Sequence, residues 1–162
     1  MTDGHYSLIY NIAIIGAGQL GSRHLQGLAK ASNKLRVYVV DPNEHSLILA
    51  KKRYQEVCKS KINIVSYHKS INDLPKKIDI VIIATTSDVR RVVIQNLVEL
   101  VQVKYIILEK VVFQSAIDFK DIMEIISINR IQVWVNCARR SYSFYKDIKN
   151  ELSNEKVSIK VR

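Results

Sequence analysis

Asn11-Ile12-Ala13-Ile14-Ile15-Gly16-Ala17-Gly18-Gln19-Leu20-Gly21 decides how this chain is read. A short apolar run enters a turn with a Gly-x-Gly-x-x-Gly pattern, and a helix-like segment follows it. Gly16 lets the chain turn sharply, Gly18 removes a Cβ where a pyrophosphate approaches, and Gly21 lets helix and strand pack closely. The free N–H groups at the helix start, around Gln19 and Leu20, then face the phosphates. This is the opening turn of a dinucleotide-binding fold.

An acidic residue strengthens that reading. The second apolar run, Leu35 to Val40, ends in Asp41, which lies 20 residues beyond Gly21. A carboxylate there accepts both ribose hydroxyls of an adenosine and repels a 2′-phosphate, and no Arg directly follows it, so NAD is expected in preference to NADP. The competing reading makes Asp41 the N-cap of a helix starting at Asp41-Pro42-Asn43-Glu44.

The 162 residues, 48% of them hydrophobic, suffice for one well-buried domain. The formal net charge is +10, from 25 Lys and Arg against 15 Asp and Glu. The basic residues are scattered in pairs such as Lys51-Lys52, Lys76-Lys77, Arg90-Arg91 and Arg139-Arg140, with no interleaved aromatic series, so they read as a solvated surface and no nucleic-acid partner is expected. Cys58 and Cys137 stand alone, so neither a disulfide framework nor a metal site is expected and a reducing cytoplasm fits. No membrane association is expected, because no apolar stretch approaches the length of a bilayer span. Residues 1–10 read as a leader, 11–150 as the dinucleotide-binding domain, and 151–162 as the start of a further, missing or truncated domain.

Apolar runs at Ile12–Ile15, Arg36–Val40, Ile62–Ser66, Ile78–Ala84, Tyr105–Leu108 and Gln132–Asn136 are continuous and β-branched, as parallel strands buried on both faces require. Helical segments are expected at Gln19–Ala31, Glu44–Cys58, Asp88–Val101, Ser115–Asn129 and Ser141–Leu152. In the third, Val89, Val92, Val93, Asn96, Leu97 and Leu100 form the expected sheet-facing stripe, with Arg90, Arg91, Gln95 and Glu99 pointing away. The alternation predicts an α/β fold of Rossmann type, a doubly wound parallel sheet with ligands at the carboxyl ends of its strands.

The informative strand ends are then Gly16, Asp41, Ser66, Ala84 and Glu109. Thr85, Thr86 and Ser87 are small enough to approach a nicotinamide ribose, or they cap the helix after them. Glu109-Lys110 places an ionisable pair where the redox end of the cofactor would lie.

Together these strand ends resemble the N-terminal half of the glucose-fructose oxidoreductase and inositol dehydrogenase family (Gfo/Idh/MocA), over roughly Asn11 to Tyr145. That family has the glycine turn, the acidic second strand end, an Ala-Thr strand end like Ala84-Thr85, and a Glu-Lys-Pro motif that Glu109 and Lys110 match. The resemblance implies an NAD-dependent dehydrogenase acting on a sugar, nucleotide-sugar or polyol, with this chain an incomplete part of it. It makes Lys110 the catalytic residue, touching substrate and nicotinamide. The Asn136-x-x-Arg139-Arg140 stretch then contacts an anionic or nucleotide-linked sugar, or else supplies two surface charges. Val111 stands where the motif has proline, and Arg90 stands roughly where the family has a histidine. The family's C-terminal substrate domain, with its acid-base histidine, has no counterpart here beyond Val157–Val161, which alternates like a first strand; a homo-oligomer formed through that domain is the implied assembly. The alternative function is a non-catalytic NAD- or nucleotide-sensing module; a methyltransferase is a third class, disfavoured by Gly21.

Overall fold

The computed structural model describes residues 9–58 and 63–152. Most of the expected leader and the Val157–Val161 alternation lie outside the described residues. The described chain runs β1 (Tyr10–Ile15), α1 (Gln19–Leu28), β2 (Leu35–Val40), α2 (Glu44–Val57), β3 (Ile64–His68), β4 (Lys77–Ile83), α3 (Arg90–Leu100), β5 (Gln102–Glu109), α4 (Ala116–Ile128), β6 (Gln132–Asn136) and α5 (Ser143–Leu152). Short 3₁₀ turns occupy Ile71–Asp73 and Ala138–Ser141.

All five strand pairings are parallel, and the six strands lie in the order β3-β2-β1-β4-β5-β6. This is the doubly wound Rossmann order, whose direction reverses between β1 and β4 and opens a crevice there. The two faces follow from strand periodicity. In β1, Ile12 and Ile14 pack with Leu25, Leu47 and Ala50 of α1 and α2, whereas Ala13 and Ile15 pack with Ile94, Leu97 and Ile122 of α3 and α4. Because both faces are covered, the strands carry no polar alternation, which is why they read as unbroken apolar runs.

Two glycines are demanded by geometry. Gly16 has φ +93°, and a Cβ on it would stand 2.8 Å from the Thr85 nitrogen. A Cβ on Gly21 would stand only 1.7 Å from the Gly16 carbonyl oxygen, so α1 is seated directly on the turn.

Two expectations need correction. The third strand ends at His68 rather than Ser66, because β3 continues in register with β2 until His68 faces Val40. On α3, Arg90 is buried, at 2% exposure, together with Ile94 and Leu97, while Val92 is 55% exposed and Val89 is exposed before the first turn. The helix starts later than its sequence suggests and is turned so that a charged side chain faces inward. Three of its four partners are backbone carbonyls at the exit of β5, which a local apolar stripe does not register.

Gly21→Ala should destabilise the fold by about 3 kcal/mol, since neither the helix nor the turn can yield 1–2 Å without cost. Gly27→Ala, on the same helix with nothing near its Cβ position, should stabilise by about 0.5–1 kcal/mol. Urea unfolding of the two variants checks both signs.

Candidate dinucleotide and substrate site

The C-terminal ends of β1, β2 and β4 surround a cleft of about 690 Å³, bordered by Gly16, Gly18, Asp41, Thr85 and Thr86. Helix α1 begins at its edge with Gly18 as N-cap, no side-chain cap and no acidic residue in its first turn. The first N–H groups of a helix have no intrahelical acceptor, so this end carries uncompensated donors and positive dipole. No atom comes within 4 Å of where a Gly18 Cβ would stand. Open space therefore lies at the helix start.

Asp41 is held at the rim by two backbone amides: Oδ2 accepts from Ala17 N at 2.7 Å and Oδ1 from Asn43 N at 2.8 Å. It does not cap α2. That role falls to Asn43, whose side chain accepts from His45 N at 2.9 Å. Each Asp41 oxygen keeps acceptor capacity for a further donor.

Beyond β4 the small hydroxyl residues separate. The Thr85 hydroxyl is buried without a hydrogen-bond partner. The Thr86 hydroxyl donates to the Asp88 carboxylate and holds its pKa below the usual value. Ser87 is turned toward Gln114, whose side-chain amide donates to it at 3.3 Å, and does not border the cleft. None of the three caps α3, which begins without a side-chain cap.

A second pocket of about 620 Å³ lies between α1 and the ends of β4, β5 and β6, lined by Leu20, His24, Glu109, Lys110, Asn136 and Arg139 among others, and shares no lining residue with the first. Glu109 is 4% exposed. One of its oxygens, Oε1, accepts from both His24 Nε2 and the Asn136 amide, each at 2.6 Å. Burial pushes the Glu109 carboxyl up, but the bonds from Asn136 and His24 and the charges of His24 and Arg90 outweigh it and hold the carboxyl below its usual value. The Glu109 charge is thereby engaged, and the exposed charged side chains lining the pocket are basic: Arg23, Lys110 and Arg139.

The peptide between Lys110 and Val111 is cis. The Arg90 guanidinium donates to the carbonyls of Glu109 at 2.5 Å and Val112 at 2.8 Å, and also to those of Val111 and Thr85. Burial pulls its pKa below the ordinary arginine value, an effect the Glu109 charge opposes.

The residues expected from the sequence thus fall into groups. Gly16, Gly18, Asp41, Thr85 and Thr86 border the first cleft; Leu20, Glu109, Lys110, Asn136 and Arg139 line the second pocket; Gly21 lies beneath the turn and Gln19 opens α1 at the surface. The side chain of Arg140 lies outside the described residues. The sequence pattern does not single out His24 or the cleft-wall residues Ile71 and Asn72, sets Arg90 on the outward face of its helix, and places Val93 and Asn96, which also border the cleft, only in the sheet-facing stripe. The Ser-Ile-Asn-Asp turn at 70–73 carries a local signal for the wall, in Ser70 accepting from Asn72 N. For His24 and Arg90 nothing local points inward. Among the described residues, no cluster of three or more His, Cys, Asp or Glu is placed to hold a metal ion, and no helix is long and apolar enough to cross a membrane.

The glycine turn, the open helix start and the acidic second strand end define a dinucleotide-binding Rossmann domain. Residues 10–137 match the model of the GFO_IDH_MocA oxidoreductase family, NAD-binding Rossmann fold, and the chain belongs to that family. None of the curated proteins matches it. Among solved structures, it is similar to an NAD-binding protein from Listeria innocua (TM-score 0.69, 24% identity, covering 89% of this chain and 40% of that one). It is also similar to an oxidoreductase from Agrobacterium radiobacter in complex with NAD+, L-tartaric acid and magnesium (TM-score 0.71, 18% identity, 89% and 40% coverage). A third is the WlbA (WbpB) dehydrogenase from Thermus thermophilus in complex with NAD and UDP-GlcNAcA (TM-score 0.69, 18% identity, 92% and 48% coverage). At these identities the likeness is one of fold, and the chain spans less than half the length of each.

NAD fits the first cleft on three observations: the space above Gly18, the unpartnered Thr85 hydroxyl and the amide-held Asp41 carboxylate.

Because the Glu109 carboxyl is lowered by folding, it contributes stability that is present above the usual carboxyl pKa near 4.5 and is lost as pH falls through the lowered folded value. Denaturant unfolding from about pH 6 down to about pH 3 should show this loss in the native chain, and Glu109→Gln should flatten that part of the profile.

Proposed function

We propose that this chain is the cofactor-binding part of an NAD-dependent oxidoreductase that oxidises or reduces a CH–OH group of an anionic sugar, nucleotide-sugar or polyol. The observation that carries the reading is that Lys110 lines a pocket whose exposed charged side chains are basic, directly after a carboxylate already engaged by His24 and Asn136.

NAD, when bound, supplies the hydride acceptor or its reduced donor. The chain's own residues do the rest. Asp41 accepts the adenosine ribose hydroxyls, the N–H groups of Gln19, Leu20 and Gly21 meet the pyrophosphate, and Thr85 and Thr86 border the nicotinamide ribose. Lys110 directs its ammonium at the substrate oxygen and stabilises negative charge there as hydride moves. Glu109, held by Asn136 and His24, stays ionised in the lining of the same pocket. Arg139 and Asn136 offer donors to an anionic group, with Arg140 following in the same turn.

L-Tartaric acid and UDP-GlcNAcA, named in the complexes of two structural relatives, are both anionic, in keeping with the basic lining here. A purely NAD-sensing module would use the first cleft and leave Lys110 and the second pocket without a task. Acid-base chemistry and the remaining substrate wall would come from elements outside these 162 residues, as would any homo-oligomer contact.

The test is titration of the 162-residue chain with NADH, NADPH and S-adenosylmethionine. NADH should bind saturably and NADPH more weakly. Asp41→Ala should weaken NADH about tenfold, the size expected for losing charge-assisted bonds to the ribose. Binding of S-adenosylmethionine alone would overturn the oxidoreductase reading.

A further inference from the structure

Arg90 is a buried arginine without a direct carboxylate partner. Its guanidinium instead meets four backbone carbonyls: Nη2 donates to Thr85 at the end of β4, and the two N–H groups of Nη1 are shared among Glu109, Val111 and Val112 around the exit of β5. Neighbouring Arg91, in contrast, pairs at the surface with Asp121 at 2.8 Å. Burying an arginine away from water is costly unless its donors are used, and here two terminal nitrogens serve two strand ends while Nε has no partner. The planar fork of guanidinium suits this task, because it can donate in several fixed directions at once; a lysine ammonium concentrates its donors at one point.

The three bonded carbonyls of the β5 exit belong to the residues on either side of Lys110. The Glu109 side chain is fixed separately, by His24 from α1 and Asn136 from β6. Lys110 is therefore an exposed side chain on a backbone pinned before and after it. The fourth carbonyl, from Thr85, ties this turn to the wall of the NAD cleft.

We propose that Arg90 is the positioning residue that sets the Lys110 ammonium against the redox end of the bound cofactor, by clamping the exits of β4 and β5 to each other. This rests on the reading of Lys110 given above. Arg90 touches neither substrate nor cofactor in this assignment; it acts through the backbone of Glu109, Val111 and Val112.

The test compares how two ligands shield the Lys110 amine from acetic anhydride, read by mass spectrometry on the 162-residue chain. NADH carries the nicotinamide riboside; ADP-ribose presents the same adenosine and pyrophosphate without the nicotinamide ring. In the native chain, saturating NADH should shield Lys110 more than saturating ADP-ribose does. In Arg90→Ala both ligands should still bind and the NADH-specific shielding should disappear, with guanidinium ion added at low concentration restoring part of it. Should Arg90→Ala fail to fold, Arg90→Lys, which keeps the charge and loses the fork, should show the same loss. An equal fall in affinity for both ligands with the shielding difference intact would mean general structural support and would overturn the proposal. If the native chain binds both ligands and shields Lys110 equally with each, the placement of Lys110 itself is wrong, a failure separate from that of Arg90.

Discussion

The Gly16 carbonyl oxygen and the backbone of Gly21 are so close that no side chain fits between them. That approach presses the first turn of α1 onto the end of β1 and points its uncapped N–H groups across the crevice between β1 and β4. The crevice exists because the strand order reverses there. Were α1 lifted to make room for a methyl group, its N-terminus would move off the cleft and Leu25 would lose its place against Ile12 and Ile14. Helix position, anion affinity and core packing thus depend on one contact between two backbones.

The other end of the site depends on charge. Glu109 and Arg90 are the two buried ionisable side chains near the exit of β5, and each has its hydrogen-bonding capacity directed at a different structural target. Glu109 collects donors from α1 and β6, while Arg90 supplies donors to the backbone leaving β4 and β5. The result is a rigid junction from which Lys110 projects into a pocket whose exposed charges are positive. A buried carboxylate engaged in this way no longer neutralises the pocket lining as a free surface glutamate would, so an anionic ligand meets Arg23, Lys110 and Arg139 with little local competition.

Much of this was legible in order of sequence. Continuous β-branched runs announced strands buried on both faces, and the glycine spacing and Asp41 placed a dinucleotide at their ends. Glu109-Lys110 drew notice through its position after the fifth run and through resemblance. The local pattern sets Arg90 toward solvent because a helical stripe built on Val89 and Val92 makes the better amphipathic pattern. The folded chain reverses that choice, since four carbonyls brought together by the sheet offer Arg90 more than the sheet surface offers Val92. The apolar run stops at Ser66 for a similar reason: the pairing that carries β3 on to His68 is with β2, a partner that local pattern does not contain.

Periodicity, glycine spacing and strand-end chemistry act over a few residues, and from them alone came the fold class, the location of the cleft and the preference for NAD. Burial of charge acts between residues far apart in the chain: His24 meets Glu109 across 85 positions and Arg90 meets it across 19. Which ionisable groups turn inward, which hydroxyl remains unpartnered and how Lys110 is held were settled when the parallel sheet brought those segments to one edge, because a buried charge is tolerated only where its partners have already been assembled.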